Sequence, residues 1–348
     1  MNASTNERYG GVLYGLAAYA MWGVLPLYFS LVTPFAKPLE LLAHRLLWGL
    51  LLLSLALTAA GRWRPALATL RDRRTRWLLL LSALLVGTNW FVFLYGVSSG
   101  KVVETSMGYF LTPLVSIVLG LVVFRERLRP AAKAGLAMSF AGIAYLVFAL
   151  GTLPWMAITV AFSFGLYGMV RKMARVDGLT GLFVETLILA PAAAVYLLVQ
   201  ASSGNGAVIA GRPSVIALLV FSGILTAMPM VCYGEATRRL KLSTLGFLQY
   251  VLPTLQLLAA VTLLGEPFRS EQQVCFALIW TALALIAVDS VLSQFSPRRD
   301  RDLEPRPTAK AVRADWHARL PGWVQPFLTW LIAFPYPGKK PLVPNRPW

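Results

Sequence analysis

The sequence predicts an all-α integral membrane protein, with ten transmembrane helices arranged as two five-helix repeats of inverted topology. This prediction depends on the composition of the chain, the alternation of basic residues between its apolar segments, and an internal repeat. The 348 residues are 57% hydrophobic and 14% charged, with a mean hydropathy of +0.64. Soluble globular proteins carry about 25% charged residues, so lipid must surround most of this chain.

The predicted helices are apolar windows of about 20 residues, the length that crosses the hydrocarbon core of a bilayer. Only short connections separate the windows, so we expect no soluble domain between them. The N-terminal residues run straight into a full-length window without a short apolar core or a small-residue cleavage pattern, so we expect no removable signal peptide. The windows cover residues 11–32, 39–60, 77–98, 103–124, 131–150, 152–172, 179–200, 214–235, 243–264 and 271–293.

Basic residues alternate between the two sides of these helices. The N-terminus, every second connection and the C-terminal tail hold 27 of the 32 Lys and Arg residues, and the opposite connections hold four. The remaining basic residue, Arg45, lies inside a helix. Because cytoplasmic loops carry the excess of Lys and Arg in membrane proteins, both termini are predicted to be cytoplasmic.

The chain matches itself when it is shifted by 140 residues. We therefore expect two five-helix units at 1–150 and 151–295, followed by a basic and aromatic tail at 296–348 that is either disordered or interfacial. Because five is odd, the second unit enters the membrane from the opposite side, as in many secondary transporters. The matched pairs are Lys101 with Lys241, Pro113 with Pro253, Glu126 with Glu266, Arg129 with Arg269 and, at a shift of 142, Gly23 with Gly165.

The polar composition argues against metal, cofactor or catalytic chemistry. The chain has 15 acidic residues, two histidines and two cysteines, and both Cys232 and Cys275 lie in apolar runs. We expect no catalytic residues, no metal and no cofactor. The net charge of +17 is spread over the connections and the tail, so nucleic acid is not an expected partner. The expected partners are membrane lipid, a small-molecule substrate and, as an open alternative, a second copy in a homodimer.

Prolines occupy corresponding midspan positions in the two halves. Pro113 and Pro253 each remove a backbone hydrogen bond, and in lipid the freed groups require protein or a watery cavity. Such a matched pair indicates a binding site, although either proline alone is equally explained as a packing kink, and small or polar stripes also serve helix packing. The candidate substrate-binding residues are Trp22, Asn89, Trp90, Tyr109, Thr112, Pro113, Ser163, Gln249, Tyr250, Pro253 and Gln256.

Three ionisable residues, His44, Arg45 and Glu185, are candidates for gating or coupling. Arg45 is either an anchor that reaches outward or part of an external gate that attracts anionic substrate. Glu185 aligns with Arg45 at the shift of 140 but lies in the opposite leaflet, so we expect no ion pair between them, and Glu185 can carry a coupling proton. Other acidic residues near helix ends are expected to be solvated, paired or fixing loops: Glu104, Glu126, Glu235, Glu266 and Asp289.

Several short motifs lie along residues 8 to 295. They are Ala18–Tyr19 with Trp22–Gly23, His44–Arg45, Asn89–Trp90, Gly108–Phe110 with Pro113, Ala161–Phe164 with Tyr167–Gly168 and Arg171–Lys172, Glu185–Thr186, and Leu242–Phe247 with Gln249–Tyr250 and Pro253. Together these motifs resemble the RarD-type branch of the EamA transporters, within the drug/metabolite transporter superfamily. The resemblance implies a ten-helix inverted-repeat permease in the bacterial inner membrane, and members of that branch are called chloramphenicol-sensitivity proteins. Glu235 and the long tail depart from the pattern.

The sequence as a whole favours a secondary permease that moves small polar or amphipathic metabolites or drugs outward by alternating access. The absence of a nucleotide-binding glycine loop from the sequence argues against ATP as the energy source. Two other classes stay open as alternatives. One is a non-transporting partner or sensor subunit, for which the tail is the argument. The other is an integral membrane enzyme, which would usually show acidic clusters or histidines at the membrane surface.

Overall fold

The part of the chain that the structure describes is helical apart from short connections. The computed structural model describes residues 3–99, 102–151, 155–204, 212–263 and 270–294. Within these ranges there are thirteen helices and no strand. The helices are α1 (Ala3–Gly23), α2 (Leu25–Val32), α3 (Pro38–Ala59), α4 (Trp63–Arg71), α5 (Arg73–Ser98), α6 (Val102–Val122), α7 (Pro130–Leu150), α8 (Trp155–Ala174), α9 (Gly178–Ser202), α10 (Pro213–Arg239), α11 (Leu242–Gln249), α12 (Val251–Thr262) and α13 (Ser270–Gln294).

Among the described residues, six helical segments are long and apolar enough to cross a membrane. Shorter apolar helices cover three further predicted windows, and α8 covers another but carries Arg171 and Lys172 in its last turn. The all-helical membrane fold is therefore confirmed, while the ten-helix inverted repeat stays a prediction. The six segments are Glu7–Phe29, Pro38–Ala59, Arg73–Gly96, Pro130–Ala149, Gly178–Ser202 and Pro213–Arg239, and the shorter helices are Gly108–Val122, Leu242–Leu258 and Gln273–Asp289.

Some predictions concern residues that the structure does not describe. The tail at 296–348 and Glu266 lie outside the described residues, as does the side chain of Glu104. Clustering of contacts separates Met1–Val291 from Leu292–Trp348, and only the end of α13 is described in the second unit.

Two predicted transmembrane helices are each divided into two shorter helices. The first divides at Val24, and a proline lies in the first turn of α2. The other divides at Tyr250, between α11 and α12. Pro253 lacks the N–H group that would bond the carbonyl of Gln249, and the next residue, Thr254, donates its N–H to the Tyr250 carbonyl at 3.2 Å.

The helix α6, by contrast, continues through Pro113. The two matched prolines therefore differ in effect, because the helix divides close to Pro253 and does not divide at Pro113. Close packing on two sides holds α6 in place: a Cβ built on Gly246 would lie 2.8 Å from the Pro113 carbonyl oxygen, and one built on Gly108 would lie 2.7 Å from Val160 Cβ. A proline in such a helix kinks it without ending it.

Helices that occupy equivalent positions in the two halves run antiparallel to each other. In α3 and α9, Ala43 packs with Ala193, while Arg62, just after α3, lies 3.2 Å from Asp177, just before α9. The same holds for α6 and α11, because the end of α6 at Gly120 approaches Ser243 in the first turn of α11.

The contacts between helices also follow the repeat that the sequence predicts. The helix α1 packs on α10, and α5 packs on α8. At a shift of about 140 residues, α1 aligns with α8 and α5 aligns with α10. The contact between α1 and α10 therefore corresponds to the contact between α8 and α5. Glycines on α1 permit the close approach to α10, because a Cβ on Gly11 would lie 2.9 Å from side-chain atoms of Arg239 and Leu240.

Basic residues collect at one end of the bundle, which we call the basic end. It contains the last turns of α3, α8 and α10 and the first turns of α7, α9 and α11. Ion pairs at this end are Arg62 with Asp177 at 3.2 Å, Arg129 with Asp289 at 3.2 Å, and Glu235 with both Arg238 and Arg239 at 3.0 Å. Glu235 and Asp289 are thus each paired with arginine, one of the expected explanations for acidic residues near helix ends.

Candidate functional site

A cavity lies between helices of both halves. Its empty space, including the part open to solvent, is about 660 Å³. Six of the eleven candidate substrate-binding residues line it: Trp22, Asn89, Trp90, Tyr109, Gln249 and Gln256. The other lining residues are Leu25, Phe29, Arg45, Phe93, Phe164 and Leu252.

The polar side chains of the cavity include three amides. Asn89 donates from Nδ2 to the Val160 carbonyl at 2.9 Å and to Ser163 Oγ at 3.1 Å. The sequence left open whether Asn89 bonds a neighbouring helix or faces substrate, and the structure has it bond α8 while lining the cavity. Gln249 is 2% exposed, and its Oε1 is a buried acceptor without a hydrogen-bond partner in the described structure.

Both matched prolines place a cavity residue four positions earlier. Pro113 cannot bond the carbonyl of Tyr109, and Pro253 cannot bond that of Gln249. Tyr109 and Gln249 both line the cavity. The two prolines themselves do not line the cavity. Each affects the cavity through the carbonyl group that it leaves without a helical hydrogen bond in the preceding turn.

Aromatic rings form much of the cavity wall. Trp22 and Phe164 meet edge to face with ring centroids 5.6 Å apart, and Phe93 meets Tyr109 in the same way at 5.5 Å. Such edge-to-face pairs add stability beyond the area they bury. The wall therefore offers flat apolar surfaces beside a few hydrogen-bonding groups.

Arg45 also lines the cavity. Its Nε donates to Thr226 Oγ1 at 2.8 Å, and its guanidinium group lies over the rings of Phe29 and Trp90 at 5.6 and 5.7 Å. The residue is only 7% exposed, so the alternative of an anchor that reaches outward is not what the structure has. His44, its neighbour on α3, does not line the cavity.

Five candidate substrate-binding residues lie outside the cavity wall. Thr112 donates to the Gly108 carbonyl at 2.7 Å, and Ser163 accepts from Asn89. Tyr250 packs in a cluster with Leu114 and Cys275. The remaining two are Pro113 and Pro253.

Five lining residues were absent from the candidate set, and sequence spacing from chosen residues points to two of them. Phe93 lies four residues after Asn89 on the same face of α5, and Leu252 lies three residues after Gln249, across the division between α11 and α12. Phe164 directly follows Ser163, and the structure turns its ring toward the cavity instead of the serine hydroxyl. Leu25 and Phe29 follow the break at Val24, and the sequence does not indicate which way the helix turns its side chains after that break.

Glu185 lies in a separate buried network near the basic end. Its carboxylate accepts from Ser82 Oγ and from the Tyr167 hydroxyl at 3.2 Å, and lies 3.5 Å from Arg171 Nε. The side chains of Arg171 and Glu185 are each 1% exposed. No Glu185–Arg45 ion pair is present, as expected, but Arg171 was not among the candidates. Its place in the last turn of a helix gave it the sequence signature of an ordinary cytoplasmic flank.

An aromatic cluster lies between the cavity and this network. Tyr19, Trp22, Phe164, Tyr167 and Tyr233 form it, and we call it the aromatic plug. Its neighbouring ring centroids are 5.1 to 6.1 Å apart. Trp22 and Phe164 line the cavity, and Tyr167 bonds Glu185, so the plug packs between the two sites on the side of the cavity that faces the basic end.

A helical membrane bundle with a cavity between its helices is an arrangement found in membrane transporters, and sequence comparison identifies the family. The EamA-like transporter family matches residues 9–148 and 153–288. This chain belongs to the EamA-like transporter family.

Similar proteins align with this chain over nearly their whole length. An uncharacterized transporter of Vibrio cholerae is 39% identical over 301 residues, which are 86% of this chain and 99% of the relative. Protein RarD of Escherichia coli K12 is 38% identical over 284 residues, 82% of this chain and 96% of the relative. The Chloramphenicol-sensitive protein RarD of Pseudomonas aeruginosa is 34% identical over 287 residues, 80% and 94% of the two chains.

One solved structure supports the fold. It covers 79% of this chain and 96% of its own with a TM-score of 0.61, at 24% sequence identity. The RarD proteins named above confirm the resemblance to the RarD-type branch, and the family match gives the chain the fold of EamA transporters.

Proposed function

We propose that this chain is a secondary transporter that moves small polar or amphipathic metabolites or drugs outward by alternating access. The observation that carries the proposal is a central cavity, lined by both halves, that is closed toward the basic end by the aromatic plug. In this proposal the protein lies in the bacterial inner membrane, with both termini in the cytoplasm and the basic end facing the cytoplasm.

Antiparallel packing of equivalent helices supports the proposed inverted repeat. The pairs α3 with α9 and α6 with α11 run in opposite directions, and the shift of about 140 residues exchanges the α1–α10 contact with the α5–α8 contact. The family also matches the chain in two ranges, 9–148 and 153–288. Two halves that are related in this way have two nearly equivalent ends, which is what alternating access requires.

The closed basic end supports a state in which the cavity is open only toward the opposite face. The plug, the Arg171–Glu185 pair and the surface ion pairs lie in successive layers on the cytoplasmic side of the cavity. Opening of this side requires that the plug separate, and Tyr167 transmits any such movement to Glu185 through their 3.2 Å hydrogen bond. Glu185 is thereby the candidate group for coupling a proton to transport.

Flux through proteoliposomes tests the proposal. Purified full-length protein should move members of a panel of small metabolites and chloramphenicol without converting them. Asn89→Ala and Gln249→Ala each remove an amide from the cavity wall, and we expect at least a tenfold loss of flux from each, about 1.4 kcal/mol of solute interaction. Gln200→Ala is the matched control, because this amide bonds Tyr196 and does not line the cavity.

Each other outcome favours a different class of protein. Flux that is unchanged in both cavity variants would place the binding site elsewhere. No flux of any panel member would favour a non-transporting partner or sensor, and conversion of a lipid or solute would favour a membrane enzyme.

A further inference from the structure

Arg45 is a buried cation in the cavity wall whose contacts are with neutral groups. They are the Thr226 hydroxyl and the rings of Phe29 and Trp90. No carboxylate of the described residues lies within the 4 Å of an ion pair with its guanidinium group. A buried charge without a counter-ion is costly, and an anion bound beside the guanidinium group would offset that cost.

The guanidinium group of Arg45 has donors left for such an anion. The protein hydrogen bond that it makes uses Nε, and neither terminal nitrogen is among the buried polar atoms without a partner. The two terminal nitrogens are therefore accessible from the cavity. A guanidinium group presents its donors as a planar fork that matches the two oxygens of a carboxylate.

The aligned position in the other half shows how such a charge is satisfied when the protein supplies the anion. The shift of 140 places Arg45 on Glu185, and the shift of 142 places Phe29 on Arg171. The pair Arg171–Glu185 is thus an ion pair at 3.5 Å, and the corresponding pair Phe29–Arg45 is a cation over a ring at 5.6 Å. One end of the bundle is neutralised internally, and the other keeps an unmatched positive charge that faces the cavity.

We propose that Arg45 binds the carboxylate of the transported solute, an inference that rests on the proposed transport function. Arg45 is the single ionisable cation, and there is no acidic residue, among the described residues that line the cavity. One positive charge fits a monoanion and not a dianion, whose second charge would be buried without a partner. The solute is therefore a monocarboxylate with an apolar or aromatic body.

Gln249 supplies a second point of recognition. Its Oε1 is a buried acceptor without a partner, and the residue lines the cavity. An unsatisfied buried acceptor requires a donor, which a solute N–H or O–H group can provide. The rings of Trp22, Phe93 and Phe164 are left to hold the body of the solute.

Matched pairs of acids and amides test the proposal. Isothermal titration calorimetry on the full-length protein in detergent compares 3-phenylpropanoate with 3-phenylpropanamide, and indole-3-acetate with indole-3-acetamide. We expect each acid to bind at least tenfold more tightly than its amide in wild-type protein. In Arg45→Gln the acids should lose that advantage while the amides bind as before, and Arg45→Lys should retain part of it because its charge remains.

A second arginine provides the control. Arg212 lies over the ring of Phe35 at 5.7 Å and does not line the cavity, so Arg212→Gln removes a similar contact and should leave the acid preference intact. Equal binding of acids and amides to wild-type protein, no binding of either, or equal loss of both in Arg45→Gln would overturn the carboxylate site. Acid preference without flux in proteoliposomes would instead retain the site and reject the transport function.

Discussion

At the scale of single residues, glycines determine where the guanidinium group of Arg171 can lie. A Cβ built on Gly181 would lie 1.7 Å from Arg171 Nη1, and one built on Gly234 would lie 2.6 Å from Nη2. Because neither glycine has a side chain, α9 and α10 leave a slot through which Arg171 reaches Glu185. The ion pair thus depends on residues that carry no charge.

The glycine slot gives a prediction for stability. Gly181→Ala should displace Arg171 and leave Glu185 buried without its counter-ion, which costs about 3 kcal/mol or more when a buried pair is broken. Denaturation of the detergent-solubilised protein by increasing SDS measures this free energy of unfolding.

Gly49→Ala is the control for this variant, because its Cβ would lie 3.9 Å from the Gly223 carbonyl oxygen, an ordinary contact. Its stability should stay close to that of the wild type. Equal stability of Gly181→Ala and Gly49→Ala would show that the slot does not hold the ion pair in place.

At the scale of helices, the start of α11 is bound by a residue from the other half. The Glu126 carboxylate accepts from the N–H groups of Leu242 and Ser243 at 2.7 and 2.8 Å and from Ser243 Oγ at 2.6 Å. These N–H groups have no partner inside α11, and a negative charge is favourable at the start of a helix. The expected loop-fixing role of Glu126 is confirmed, and the loop it fixes is joined to the opposite repeat.

Removal of this carboxylate should weaken the basic end. We expect Glu126→Ala to lower the free energy of unfolding by about 1 kcal/mol, because the first turn of α11 loses its capping acceptor. Asp289→Asn is the comparison: its ion pair with Arg129 at 3.2 Å is about one-third exposed, so its loss should matter less. SDS denaturation of both variants compares them, and a larger loss in Asp289→Asn would contradict the capping role.

The helix scale also shows why matched prolines in the two halves have different effects on their helices. Pro253 and Pro113 have the same chemistry and aligned positions, yet only the helix at Pro253 divides, between α11 and α12. Contacts of α6 with α8 and α11 decide the difference, and such contacts join residues far apart in the chain. The break at Val24 lies next to a proline that the repeat pattern did not emphasise.

At the scale of the whole molecule, composition and periodicity predict the membrane fold because lipid imposes long apolar helices on any sequence. The cavity was predictable in outline, since Asn89, Tyr109 and Gln249 stand at midspan positions. The role of Arg45 as a cavity residue and the pairing of Arg171 with Glu185 were not, because each depends on which way a helix faces its neighbours. Sequence position alone gave Arg171 the signature of a flanking charge.

The closed plug predicts unequal access to the two sides of the molecule. With Cys232 replaced by serine, a cysteine at Gln256 should react with a charged methanethiosulfonate reagent added from outside intact cells. A cysteine at Ser82, beyond the aromatic plug and fully buried, should not react. Cys275 is buried and should contribute no background.

Reaction at Ser82 from outside the cell, or protection of Gln256, would contradict this arrangement. Gln200→Cys provides a check on reagent access, because Gln200 lies in α9 away from the cavity. Mass spectrometry of the purified protein reads the extent of labelling at each position.

The unequal neutralisation of the two aligned charge positions has a consequence for the resting protein. The basic end holds its own counter-ions and can stay shut in the absence of any solute. The opposite end can reach the same internal balance only when an anion arrives. On the proposed function, the unloaded protein rests with its basic end closed, and the solute anion supplies the counter-charge that Arg45 lacks.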